Sequence, residues 1–136
     1  NLTFVNSYFE AISGFTSTGF TIFNNINHID QSLILWRSAS QWVGGLYFLF
    51  SIILLIDIFD YSFKKSLTNF ISFNKAETLK QSLKIFFLYS LITLGIFVIL
   101  NIFEIRMFNS LNLAMTVISS GGFLPSNNLS NILINN

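Results

Sequence analysis

Charge is scarce in this sequence and cysteine is absent. Charged residues are 10% of the 136, against roughly 25% in a soluble globular domain. So few charges cannot cover a water-facing surface, and lipid becomes the expected solvent. Without Cys there is no disulfide framework, no thiolate metal site and no cysteine nucleophile. A single His excludes a His-rich centre, so no transition-metal site is expected. No nucleophile–base constellation and no phosphate-binding loop stand out, so the expected protein is not an enzyme, carries no cofactor and binds no nucleic acid. The chain starts at Asn1 with no basic segment ahead of an apolar run, so no signal or transit peptide is expected. Its last stretch, Asn127–Asn136, is polar, and both ends read as cuts in a longer chain.

What is abundant is apolar. Hydrophobic residues are 52% of the chain, and Phe alone occurs 17 times. Two runs, Leu33–Ile58 and Leu83–Phe103, each reach the ~20 apolar residues that span a bilayer. Arg37 and Asp57 sit near the ends of the first run, within reach of a membrane face by snorkelling. Trp36 fits an interfacial belt, and the deeper Trp42 fits packing on a neighbour. Gly44-Gly45 would let another backbone approach closely in a membrane bundle. The segment between the runs, Phe59–Lys80, is the most basic part of the chain, and Lys64, Lys65, Lys75, Lys80 and Lys84 are five of the seven Lys and Arg. The positive-inside rule makes this linker cytoplasmic and places Gln31 and Glu104 outside. Ala76-Glu77-Thr78 is expected to begin the helix that leads into the second span.

Two shorter segments, Phe4–Phe15 and Met107–Ile118, are too short to span and have the length of re-entrant helices. Each runs into small residues and glycine: Thr16-Ser17-Thr18-Gly19-Phe20 and Ser119-Ser120-Gly121-Gly122-Phe123. They superimpose without a gap at an offset of 103 residues. Ser7 meets Ser110, Ala11 meets Ala114, Ser17 meets Ser120, Gly19 meets Gly122, Phe20 meets Phe123, and Asn24-Asn25 meets Asn127-Asn128. Both loops fall on the external side of the spans. Irregular backbone at membrane depth is tolerated only where protein buries it or where it lines a water-filled cavity. The expected fold is therefore all-α and integral to the membrane. Its units are span, pore helix, filter loop and span, as in a potassium-channel-like pore.

The loops have the chemistry such a pore requires. Selectivity filters are rings of backbone carbonyls that replace an ion's hydration shell. Small side chains let the backbones converge, and Gly is needed where a carbonyl turns inward at angles that a Cβ forbids. Gly19 and Gly122 fit that role, Gly121 adds freedom, and Thr16 and Ser119 can offer hydroxyls at the inner end. The short helices present their carbonyl ends to the cavity, which favours a cation there.

These residues resemble the Trk-type potassium uptake proteins (TrkH-like) of the Trk/Ktr/HKT superfamily. Phe9–Phe20 (FEAISGFTSTGF) is similar to the family's first pore helix and filter. Trp36-Arg37 with Gln41-Trp42-Val43-Gly44-Gly45 is similar to the span that follows. Ala76-Glu77, Tyr89 and Thr93 resemble the start of the next repeat, and Ser119–Phe123 (SSGGF) resembles a filter commonly written TGGF. Phe20 and Ser120 depart from the family, which often has Ala and Thr there. The resemblance implies four repeats around one pore, each supplying one filter Gly. Residues 1–58 would be the second half of repeat one, 59–80 a cytoplasmic linker, and 81–136 the first half of repeat two. Carried over, the ion-binding filter positions are Thr16, Ser17, Thr18, Gly19, Ser119, Ser120, Gly121 and Gly122, with the potassium ion as transported substrate. It also implies a multi-pass protein of the cell's inner (plasma) membrane, in contact with lipid, a homodimer, and a cytosolic nucleotide-binding regulatory subunit.

Other residues have simpler readings. Glu10 either attracts cations or bonds the loop backbone, and the second is the plainer role. Arg37 either tunes the pore field or anchors the helix at the interface. His28 reads as solvated, and Pro125 as fixing the filter exit. The lysines fit topology and anionic lipid, or docking of a regulatory subunit. Sodium or sodium-coupled passage in the same fold is the near alternative. An alternating-access transporter would show inverted repeats, whereas these run in parallel, and a membrane scaffold gives no reason for Gly at both loops.

Overall fold

A computed structural model describes residues 3–59 and 75–126. Most of the expected linker, including Lys64 and Lys65, and the exit Asn127–Asn136 lie outside these residues. All regular structure among the described residues is helical: α1 (Phe4–Phe15), a short 3-10 turn (Ile26–His28), α2 (Gln31–Phe59), α3 (Lys75–Ile102) and α4 (Met107–Ile118). The first apolar run falls within α2, and α3 runs unbroken from before Ala76 into the second run.

Among the described residues, Ser82–Ile102 is long and apolar enough to cross a membrane, with mean hydropathy 2.4. Only 11% of that stretch is buried, unlike the core helix of a soluble protein. Phe86, Phe87, Leu88, Leu91, Ile92 and Ile99 are all exposed, and their spacing distributes them over several sides of the helix rather than one stripe. The interior is mixed. Among the described residues the largest fully buried side chains are polar, Arg37, Gln41, Asn112, Ser38 and Ser110, and they lie alongside buried Ile34, Leu46, Tyr89 and Phe123. Large polar groups enclosed while apolar ones face outward is a distribution that suits lipid better than water.

Helix α2 is the centre of the packing, touching α1 and α4 extensively and α3 more thinly. Gly44 and Gly45 make this possible. A Cβ on Gly44 would overlap the carbonyl of Phe15 at the end of α1. One on Gly45 would lie 2.8 Å from both Ser119 Cβ and the Tyr89 hydroxyl. Trp42, packed on Tyr89 at 5.2 Å between ring centroids, donates its Nε1–H to Thr93 Oγ1 (2.9 Å). Tyr89 in turn donates its hydroxyl to Trp42 O (3.2 Å). Tyr89 and Thr93, four apart on one face of α3, thus tie it to α2. Trp36 is half exposed, as an interfacial residue would be.

Helix α3 ends in a Schellman cap. Glu104 takes a positive φ of 61°, its N–H bonds Asn101 O, and Ile105 N–H bonds Leu100 O. That reversal turns the chain directly into α4. At the other end of the fold, Thr3 caps α1 by accepting Asn6 N–H on its hydroxyl.

Candidate functional site

Both short helices stop in the same way. The N–H groups of Ser17 and Thr18 bond Gly14 O and Ser13 O, and those of Ser120 and Gly121 bond Val117 O and Thr116 O. These are two further Schellman caps, 103 residues apart, with Ser17 and Ser120 both at φ 55°. Two residues on, Gly19 and Gly122 have φ of 74° and 78°, in the region that a Cβ disfavours. The loops meet there. A Cβ on Gly19 would overlap Gly121 O, and one on Gly122 would lie 3.9 Å from Gly19 Cα.

The eight sequence-predicted positions form these two touching loops. Thr16, Thr18, Ser120 and Gly122 are exposed, Ser17 and Gly19 half-buried, and Ser119 and Gly121 buried. The hydroxyls of Thr16 and Ser119 donate back to Ile12 O (2.8 Å) and Met115 O (2.9 Å) of their own helices, which leaves their oxygens as acceptors only. Gly121 differs from its expected role: it has no positive φ. A side chain is excluded there by the Gln41 carboxamide, which fills the space a Cβ would need.

Each loop is held by a different device. In the first, Ser13 Oγ donates to Phe20 O (2.6 Å) and Ile22 N–H bonds Glu10 Oε2 (3.1 Å). In the second, the wholly buried Gln41 of α2 does the work. Its Nε2 donates to Gly121 O (2.6 Å), and its Oε1 accepts Phe123 N–H (3.3 Å). The main-chain carbonyl of Gln41 also accepts the Ser17 hydroxyl (3.3 Å), so one residue touches both loops.

Arg37 is not an interfacial anchor. It is 1% exposed, because α1 presents a buried carboxylate to the same face of α2. Its Nε donates to Glu10 Oε1 (2.8 Å), and its Nη2 lies 2.7 Å from the same oxygen. Nη2 also reaches Thr21 Oγ1 (2.8 Å). The guanidinium lies 4.1 Å over the ring of Phe123 and 5.3 Å over that of Phe23, a cation–π contact with the exit of each loop. Glu10 bonds the loop backbone, the plainer of its two expected roles, and carries the ion pair as well. Between the two exits lies an open pocket of about 330 Å³ bordered by Gly19, Thr21, Arg37, Gly122 and Phe123. His28 is exposed and Pro125 is buried.

Sequence reasoning did not bring Glu10, Arg37 and Gln41 together. A usable signal was present: Arg37, Gln41 and Gly44-Gly45 recur at helical spacing, a polar and small stripe along an apolar helix.

No family model matches the chain, and no solved structure matches it. Among curated proteins, an uncharacterised cation transporter of Methanocaldococcus jannaschii is 30% identical over 133 residues, covering 92% of this chain and 27% of the relative. The Trk system potassium uptake protein TrkG of Escherichia coli is 37% identical over 46 residues, 34% of this chain and 10% of the relative. TrkI of Halomonas elongata, another Trk system potassium uptake protein, is 42% identical over 45 residues, 33% of this chain and 9% of the relative. The chain therefore spans about a quarter of the first relative's length and about a tenth of the other two.

Proposed function

The chain belongs to the family of Trk-type potassium uptake proteins, and from that premise we propose that its two loops are part of a selectivity filter conducting potassium inward, driven by the membrane potential. One observation carries this reading. Two segments 103 residues apart follow the same backbone course and converge at Gly19 and Gly122, both with positive φ. Carbonyl coordination asks for such convergence: backbones close together, no side chain at the contact, and short helices ending at the site. The filter positions are Thr16, Ser17, Thr18 and Gly19 with Ser119, Ser120, Gly121 and Gly122. On this reading α1 and α4 are pore helices, α2 and α3 are spans of a multi-pass protein of the inner (plasma) membrane, and two more helix–loop units complete the ring. The homodimer and the cytosolic nucleotide-binding subunit remain parts of the same proposal.

Sodium or sodium-coupled potassium passage through the same loops is the second reading; Phe20 and Ser120, where the family commonly has Ala and Thr, leave the ion preference open. Potassium-dependent growth of an uptake-deficient cell tests the proposal. The complete protein should restore growth at low potassium, and Gly19→Ser and Gly122→Ser should abolish the rescue at unchanged protein amount. Growth with both substitutions would sink the filter assignment. Restored growth only under sodium-rich conditions would favour the second reading.

A further inference from the structure

We propose that Gln41 is the positioning residue that sets ion discrimination in this filter, by clamping the second loop from behind and coupling it to the first. The inference rests on the filter reading above and adds a residue that lies in neither loop. Its carboxamide is used at both ends. The Nε2–H donates to Gly121 O at 2.6 Å, and Oε1 accepts Phe123 N–H at 3.3 Å. The two bonds span Gly122, whose φ is 78°. They therefore fix the peptides on both sides of the glycine that meets Gly19.

The space around the clamp is closed. Gln41 is 0% exposed, and Gly121 leaves no room for any side chain between loop and carboxamide. A carbonyl oxygen has two lone pairs. The Gln41 N–H takes one direction at Gly121 O and so restricts where the other can point. Gly121 O also sits where a Gly19 Cβ would be, so its placement sets the distance between the loops. The Ser17 hydroxyl on Gln41 O (3.3 Å) adds a bond from the first loop to the same residue. The loops otherwise differ in support. Ser13 holds Phe20 O in the first loop, whereas its equivalent, Thr116, has no hydrogen-bond partner for its buried Oγ1. The second loop thus has its backbone held by a side chain of α2, where the first has its backbone held by Ser13 and Glu10 of its own helix. Where discrimination between potassium and sodium comes from cavity size, it needs carbonyl positions held against collapse onto a smaller ion, and the Gln41 clamp supplies such a restraint.

The test is the ratio of potassium to sodium uptake by the complete protein in uptake-deficient cells, normalised to its amount in the membrane. Gln41→Met keeps the length and volume of the side chain and removes both bonds, and Gln41→Asn is too short to make both. Each should lower the ratio about tenfold, the scale of losing one to two net hydrogen bonds. Trp42→Phe, which removes the α2–α3 bond one residue away, should leave the ratio unchanged. An unchanged ratio in both Gln41 variants would overturn the proposal. So would their absence from the membrane, which would make Gln41 a folding residue. Gly19→Ser and Gly122→Ser separate this from the filter reading. If they abolish potassium uptake and the Gln41 variants leave the ratio unchanged, only the clamp fails. If they leave potassium uptake undiminished, the filter reading fails with it.

Discussion

Replacing Glu10 with Gln changes almost no volume and removes one buried charge. Glu10 is 4% exposed and Arg37 is 1% exposed, so neither charge can turn to water. Three donors converge on the carboxylate besides the Arg37–Glu10 charge contact at 2.7 Å: Arg37 Nε at 2.8 Å, Thr21 Oγ1 at 2.9 Å and Ile22 N at 3.1 Å. Two unit charges about 4 Å apart attract by about 4 kcal/mol at an effective dielectric constant near 20. Removing one partner of a buried pair leaves the other uncompensated, which costs about 3–5 kcal/mol. Gln retains an acceptor for Ile22 N–H, so Glu10→Gln should cost about 3 kcal/mol, read from chemical denaturation of the complete protein in detergent. Arg37→Met should cost a similar amount, since it strands the carboxylate. The double variant should lose clearly less than the two single losses added together, with a coupling above about 1.5 kcal/mol. Single losses below about 1 kcal/mol that simply add are the behaviour of an exposed pair, and would refute the burial described above.

Three further outcomes follow from the same geometry. Gly44→Ala should destabilise by about 1–3 kcal/mol in the same denaturation assay, because its Cβ meets the Phe15 carbonyl and forces α1 off α2. Glu104→Gly should raise stability by roughly 1 kcal/mol, since Glu104 caps α3 at φ 61° with an exposed side chain; a loss would mean that its carboxylate has a partner. Trp42→Phe should cost about 1 kcal/mol through the lost bond to Thr93, and Thr93→Val on its own should cost a comparable amount.

Much of the local structure is legible in the sequence. The short helices have the bounds that composition suggests, because each ends where small residues and a capping serine take over. Gly19 and Gly122 lie at positive φ, as expected of loop glycines placed where a Cβ would forbid the backbone angles. Trp42 and Gly44-Gly45 pack on neighbours for reasons visible in residue size. The pairing of polar groups is not legible. A lone Arg in an apolar run reads as snorkelling, because nothing along the chain names its partner, and Glu10 lies 27 positions away. Gln41 is further still from its loop, 80 positions from Gly121. Gly121 looks like a second flexible hinge in sequence. Its smallness in fact answers a side chain from another helix, and only tertiary packing reveals that. The side chains of Asp57, Lys64, Lys65 and Lys75 lie outside those described, whereas Lys80 and Lys84 are exposed.

The most direct measurement is cation flux into liposomes holding the purified complete protein, with the interior made negative. Potassium entry should exceed sodium entry and should disappear with Gly122→Ser while the protein stays folded. Equal flux of both ions, or potassium entry undiminished by Gly122→Ser, would contradict a carbonyl filter at the meeting point of the two loops.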